Sequence, residues 1–181
     1  MRPSHWDCGD AFSAAECAAI VALGEAAGMR PAPVWGGHAY VVVPAARDVA
    51  MVHCPRAAAT EWIYARLDAL FAEAARRLEL EGQVRPVDEP MQLLRYDAGC
   101  HFQSWHSDAG LDLIDTRRVS VSVELSDACD YEGGDLEIMA GPAGRTRAPR
   151  KGAARFFRSS TFHRVTPVTS GVRHALAIWT G

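Results

Sequence analysis

Apolar residues follow two different rhythms along this chain. As far as about residue 80 they recur at helical spacing, and beyond it they gather in short runs separated by turn residues. Ser13 with Glu16 three positions on forms a capping-box pattern, and Cys17, Ile20, Val21 and Ala27 make an apolar stripe. This predicts a helix to about Met29, with Gly28 near its end. A second helix is predicted over Ala57 to Leu80, where Trp62, Leu67, Leu70, Phe71, Ala74 and Leu78 recur among Arg and Glu. Both helices are expected to cover one face of a sheet.

Between them, the β-branched run Ala39 to Val43 stops at Pro44, and Val49 to Val52 is expected to pair with it as a hairpin or lid. Past Glu81, glycines and prolines bound the extended runs Met91 to Tyr96, Phe102 to His106, Arg118 to Leu125, Asp135 to Met139, Ala153 to Phe157, Phe162 to Thr166 and Val172 to Trp179. Seven short strands with no helices between them predict an antiparallel sandwich or barrel in a mainly β (α+β) domain.

Composition is globular, with 49% apolar and 23% charged residues in 181 positions, about one ordinary domain. The 19 basic and 22 acidic residues are scattered and sum to −3, without the basic stripe that a phosphate backbone would need, so no nucleic-acid partner is expected. Cys8, Cys17, Cys54, Cys100 and Cys129 are odd in number and irregular in spacing. Free thiols and a reducing cytoplasm are the expectation. Met1 to Gly9 lacks the pattern of a signal peptide, and no stretch is long and apolar enough to suggest a membrane span. Oligomeric state is not encoded in any of these patterns.

The chemistry concentrates at three positions. His106 and Asp108 are two apart, so on an extended segment they share a face, and His163 opens a later strand after the turn-like Arg158 to Thr161. Two imidazoles and one carboxylate suit iron(II) used for oxygen chemistry, although zinc also accepts such ligands. The spacing alone is common, and a lone His106 reads more readily as a polar residue at a strand end than as a ligand. Arg173 adds weight, because it lies in the otherwise apolar strand containing Ala175, Leu176, Ala177, Ile178 and Trp179, and a charge there needs a partner. That partner is either a dicarboxylate cosubstrate or an internal carboxylate, Glu124 or Asp135.

Met91 to Trp179 resembles the catalytic core of the 2-oxoglutarate and iron(II) dioxygenases, in the branch similar to prolyl 4-hydroxylase catalytic subunits. The resemblance is carried by Gln92 to Tyr96, His106-Ser107-Asp108, Leu125-Ser126, Asp130 to Leu136, His163 to Thr169, Gly171-Val172-Arg173 and Trp179. It implies a double-stranded β-helix, or jelly roll, in one domain, 1–181. Residues 1–85 would be helical support and lid, and 86–181 the catalytic core. It also implies iron(II) held by His106, Asp108 and His163, with 2-oxoglutarate and O2 as cosubstrates and ascorbate as accessory reductant. Arg173 would grip the distal carboxylate of 2-oxoglutarate, and Tyr96 would reach the cosubstrate or instead serve the core.

Three departures from the family pattern matter. Ala175 replaces a hydroxyl residue two positions after the arginine, a gap that Ser120 or Ser122 is placed to fill. Arg158 adds a cation near the expected mouth, for an anionic substrate or as a solvated loop charge. Asp108 occupies the position where halogenating members carry a small residue, which favours hydroxylation. Substrate contacts are expected from Trp35, Tyr40 and Arg47 within Pro31 to Pro55, and from the loop Ala109 to Arg117. The expected substrate is an amino acid, a peptidyl residue or a natural-product intermediate. Demethylation, desaturation or cyclisation on the same scaffold, and a silent jelly-roll binding module, are the alternatives.

Overall fold

The computed structural model describes residues 3–109, 116–139 and 150–181. Strand β1 (His5–Cys8) leads into helix α1 (Ala14–Ala27), followed by β2 (Arg30–Pro31), β3 (Val34–Trp35), β4 (Tyr40–Val41), β5 (Ala50–Cys54) and helix α2 (Glu61–Arg77). The rest is strand: β6 (Met91–Tyr96), β7 (Phe102–His106), β8 (Val119–Glu124), β9 (Tyr131–Gly133), β10 (Leu136–Ile138), β11 (Ala154–Arg158), β12 (His163–Val165), β13 (Val168–Gly171) and β14 (Arg173–Thr180).

Local chemistry sets the helix ends. At α1, Ser13 Oγ accepts from the Glu16 amide at 3.3 Å while Glu16 accepts from the Ser13 amide at 2.7 Å, and Gly28 closes the helix at φ 79°. Residues 57–60 form a turn instead of the first turn of α2, because Thr60 Oγ1 accepts from the Ala57 amide and donates to the Pro55 carbonyl. At the other end Glu79 turns left-handed at φ 55°, and the Leu80 amide bonds back to the Ala75 carbonyl at 2.8 Å. The second helix is therefore shorter at both ends than its apolar stripe suggests.

A seven-stranded antiparallel sheet runs in the order β1-β11-β8-β14-β6-β5-β2, opposed by the smaller pairings β10-β12-β7 and β13-β9. This is the expected jelly roll. Alternate residues of the large sheet point to opposite faces. Val119, Val121, Val123, Phe156, Leu176, Ile178, Met91 and Leu93 pack outward against Ile20, Ile63, Tyr64, Leu67 and Phe71 of the helices. Gly24 sits where a Cβ would come within 3.1 Å of Leu93, so α1 lies close on the sheet. The buried Tyr64 hydroxyl donates to the Cys54 carbonyl at 2.7 Å and accepts from the Met91 amide at 2.8 Å, tying α2 to β5 and β6. The inward face meets the smaller sheet through a second core that includes Met51, Leu94, Tyr96, Leu136, Ile138, Phe157, Val165 and Ala175.

One pairing differs from expectation. Val49 to Val52 does not pair with Ala39 to Val43; β5 joins the large sheet between β2 and β6, while the short hairpin is β3 with β4. Burial decides this, since Val49 and Met51 are core residues whereas Tyr40 and Val41 are exposed. Strands β1, β9 and β13 have no hydrophobic alternation to announce them, and they exist through main-chain pairing at sheet edges. All five cysteines are free, and no helix among the described residues is long and apolar enough to cross a membrane.

Phe156 stacks on Trp6 and meets the edge of Phe71, both at 5.3 Å between centroids, at the centre of the helix-to-sheet interface. Phe156→Ala should lower stability by about 3–5 kcal/mol in urea unfolding. Ser13→Ala should cost only about 1 kcal/mol, through the lost cap.

Candidate metal centre

Strands β7 and β12 are neighbours in the smaller sheet, in a register that sets His106 directly opposite His163. Asp108 follows β7, and its amide and that of Ala109 both bond to the Ser159 carbonyl at 2.9 Å. The three side chains converge: Nε2 of His163 lies 3.5 Å from one Asp108 oxygen, Nε2 of His106 lies 3.9 Å from the other, and one ligand atom from each residue falls within 4.8 Å of the rest. Nδ1 of His106 bonds to the Ser104 carbonyl at 2.9 Å and Nδ1 of His163 to the Thr161 carbonyl at 3.0 Å. A carbonyl only accepts, so each Nδ1 carries the proton and each Nε2 presents its lone pair to the common point.

The electrostatics agree with a site prepared for a cation. Burial, reinforced by the neighbouring His163, pushes His106 down to about 4, leaving a neutral ring at pH 7. For Asp108 burial acts upward, but the two imidazoles and hydrogen bonds from Ser120 and Trp179 outweigh it and hold the carboxyl below its usual range. The result is an ionised carboxylate beside the neutral ring of His106, with His163 completing the group. Two imidazoles and one carboxylate grouped on one side suit a divalent first-row metal with open positions, so these residues fit iron(II).

The centre lies in the wall of a cavity of about 1000 Å³ between the two sheets. Phe102 stacks on His106 at 3.7 Å and Phe157 lies 4.7 Å from His163, so aromatic rings flank both imidazoles. Tyr96, Ser122, Arg173 and Arg47 line the same cavity, as do Trp35 and Tyr40, whose exposed rings meet edge-on at 5.3 Å on the β3-β4 hairpin. Arg173 is 1% exposed and donates from Nε to Glu124 at 2.9 Å. Both sequence-level partners therefore remain relevant to it, because the guanidinium faces the cavity and is also held by an internal carboxylate. Asp135, the other carboxylate considered, instead uses its backbone on Thr166. Tyr96 is fully buried beneath the Arg173 guanidinium, 5.3 Å from its ring centroid, and burial pushes its phenol up.

Two further expectations separate. Ser120 is committed to the Ser159 hydroxyl at 3.0 Å and to Asp108, which leaves Ser122 as the cavity-facing serine. Arg158 does not reach the cavity: its guanidinium donates to the Leu78 carbonyl at the end of α2, on the helix side of the sheet. Residue parity explains this, since Phe157 faces inward and Arg158, one position on, faces outward. Of the proposed specificity loop Ala109 to Arg117, residues 110–115 lie outside the described residues. The support for Asp108 was not foreseen. Trp179 is nonetheless the fourth of the alternating inward positions Arg173, Ala175, Ala177 and Trp179, and Arg117 lies 4.1 Å over its ring while pairing with Glu89.

A family model described as the 2OG-Fe(II) oxygenase superfamily matches residues 91–181. A PKHD-type hydroxylase of Sphingopyxis alaskensis is 32% identical over 120 residues, covering 59% of this chain and 55% of the relative. One from Synechococcus sp. is 30% identical over 116 residues, covering 61% and 51%. The chain thus spans about half the length of the curated relatives it matches. Among solved structures, a Pseudomonas putida prolyl-4-hydroxylase superposes with a TM-score of 0.74 at 19% identity, covering 98% of this chain and 91% of that one. A Trichoplax adhaerens prolyl hydroxylase, in complex with a hypoxia inducible factor oxygen degradation domain peptide fragment, gives 0.76 at 16% identity, covering 98% and 83%. These structural likenesses share the fold.

Two measurements test the centre. Anaerobic addition of Fe(II) or Mn(II) at 100 times its Kd should stabilise the protein by about 2.7 kcal/mol, and His163→Ala should remove that gain in a thermal unfolding series. Without metal, folded His106 takes up its proton near pH 4 and the unfolded ring near about 6.5. The unfolded chain binds more protons in that window, so stability should fall as pH drops from about 6.5 to about 4, with a slope that His106→Gln flattens.

Proposed function

The chain belongs to the 2OG-Fe(II) oxygenase superfamily, and on that premise we propose that it is a 2-oxoglutarate-dependent iron(II) hydroxylase acting on a C–H bond of a small molecule or peptidyl residue. The observation that carries this reading is the meeting of His106, Asp108 and His163 in the wall of a cavity that Arg173 also lines. Iron(II) held by these residues, with 2-oxoglutarate and O2, would supply an oxidant able to take hydrogen from an unactivated C–H bond, with succinate and CO2 as the products expected of the cosubstrate.

The protein's own share is binding, orientation and exclusion of water. His106, Asp108 and His163 would hold the metal. Because Glu124 occupies Nε of Arg173 and the Tyr131 hydroxyl also bonds to the guanidinium, the remaining terminal N–H groups are the ones that would meet the distal carboxylate of 2-oxoglutarate. Tyr96 braces Arg173 from below, and Ser122 offers a hydroxyl on the neighbouring strand, directly opposite Ala177 and two residues from Glu124, which faces Ala175. The carboxylate of Asp108 fills a ligand position that halide chemistry would need open, which supports hydroxylation. Trp35, Tyr40 and Arg47 line the cavity, which supports their assignment as substrate contacts. The prolyl and PKHD-type hydroxylases among the similar proteins support a substrate presented as a ring or side chain. The scattered charge argues against nucleic acid.

Anaerobic titration of the Fe(II)-loaded protein with 2-oxoglutarate should produce a weak visible charge-transfer band, absent in His106→Ala and Asp108→Ala. Removing Arg173 alone would strand the Glu124 carboxylate in the core, so the informative variant combines Arg173→Met with Glu124→Gln. It should bind metal normally and 2-oxoglutarate about 30-fold or more weakly, as expected on truncating a buried charged partner. A band that survives loss of the ligands would rule the assignment out.

A further inference from the structure

Among the described residues three guanidinium groups line the cavity, and two of them are met by carboxylates: Arg173 by Glu124 at 2.9 Å and Arg117 by Glu89 at 2.5 Å. The third is not. Arg47 stands in the turn between β4 and β5 and donates to the Pro33 carbonyl at 3.2 Å, to Gln92 Oε1 at 3.0 Å and to Met51 Sδ at 3.7 Å, with its Cζ 4.8 Å over the Phe102 ring. Each of these neighbours is neutral. Its Nε is buried with no hydrogen-bond partner, and it is the one buried side-chain nitrogen or oxygen so left among the described residues.

A guanidinium keeps its charge, and a half-buried charge with a buried, unbonded Nε carries a desolvation cost that no counter-ion offsets. Elsewhere the protein avoids that cost, since the buried Arg155 pairs with Asp7 at 2.7 Å and the buried Glu137 with Arg164 at 2.7 Å. Asp108 is near enough to feel Arg47 but is already shared between two imidazoles. The other carboxylate lining the cavity, Glu89, is engaged by Arg117. Among the described residues, the cavity therefore offers a recessed cation without a carboxylate partner of its own and no unpaired carboxylate for an ammonium. Above it stands the aromatic hairpin of Trp35 and Tyr40.

From this arrangement we infer that Arg47 receives a carboxylate of the primary substrate, so that the molecule oxidised is a small carboxylic acid whose nitrogen, if it has one, is uncharged. The inference rests on the hydroxylase reading above and adds the substrate's charge class. Both terminal nitrogens already donate to neutral partners and Nε is the donor left over, so a carboxylate held by two parallel bonds at the Nε edge would satisfy it and draw one terminal nitrogen away from a neutral acceptor.

The test uses protein loaded anaerobically with Fe(II) and 2-oxoglutarate, titrated with N-acetyl-L-proline and benzoate against the near-isosteric N-acetyl-L-prolinamide and benzamide. Binding is read from the visible band and from tryptophan fluorescence. A charged hydrogen bond of about 1.5–3 kcal/mol predicts that an acid binds about tenfold or more tightly than its amide. Arg47→Gln should abolish that preference and Arg47→Lys should keep part of it, while the Kd for 2-oxoglutarate changes by less than about threefold. Equal affinities for acid and amide, no acid bound by about 20 mM, or a preference that survives Arg47→Gln would each overturn the inference. So would a tenfold loss of 2-oxoglutarate affinity in Arg47→Gln, which would assign the guanidinium to the cosubstrate. Should that variant fail to fold, the wild-type ratio and Arg47→Lys decide the matter. If the wild-type band never forms, the hydroxylase reading falls first and takes this inference with it; if the band forms and acids match amides, only this inference falls.

Discussion

The ion pair between Arg173 and Glu124, each side chain 2% exposed, is the constraint around which the inner half of the molecule is organised. Two opposite charges in an apolar sandwich are tolerable only when they meet and when their remaining hydrogen-bonding capacity is satisfied. The pair achieves this across adjacent strands, β14 and β8, with the Tyr131 hydroxyl of β9 bonded to both groups and the Tyr96 ring against the guanidinium. Burial pushes the Glu124 carboxyl up, while Glu124 and the two phenols oppose the loss of the Arg173 proton that burial would favour. A packed aliphatic layer would be simpler and no less stable. The charge is kept where it faces a cavity.

Around that pair the large sheet performs two separate tasks with alternate residues. Its outward side chains form one hydrophobic core with α1 and α2, and its inward ones form another with the smaller sheet. The helices thus stiffen the back of a wall whose front carries polar chemistry. Loss of packing behind the wall and loss of a ligand in front of it are therefore distinct failures, even where the residues are sequence neighbours such as Val119 and Ser120.

Much of this was legible in the sequence, and the parts that were not have physical reasons. Short extended runs bounded by turn residues located all seven main strands, and the spacing of His106 and Asp108 implied a shared site because both would leave an extended segment on one side. Strand alternation, followed one residue past Phe157, would have sent Arg158 away from the cavity, where it caps the end of α2. Strands β1 and β9 escaped notice because they are held by backbone pairing, which leaves little trace in side-chain pattern. The pairing of β5 was misjudged because proximity in sequence suggested a hairpin, whereas burial of Val49 and Met51 required the large sheet. Arg173 allowed two partners; the guanidinium binds the internal one, Glu124, and also lines the cavity.

The two imidazoles take their orientation from carbonyls two residues upstream on their own chain segments, so each ring is aimed before the rest of the sandwich is considered. What remains to be specified over long range is a single strand register, the one that seats His106 opposite His163. A slip of one residue would turn one imidazole to the other face and leave no triad. An ion that binds only the complete triad therefore acts as a proofreader of strand alignment, favouring the correctly threaded jelly roll over near misses that bury similar amounts of apolar surface.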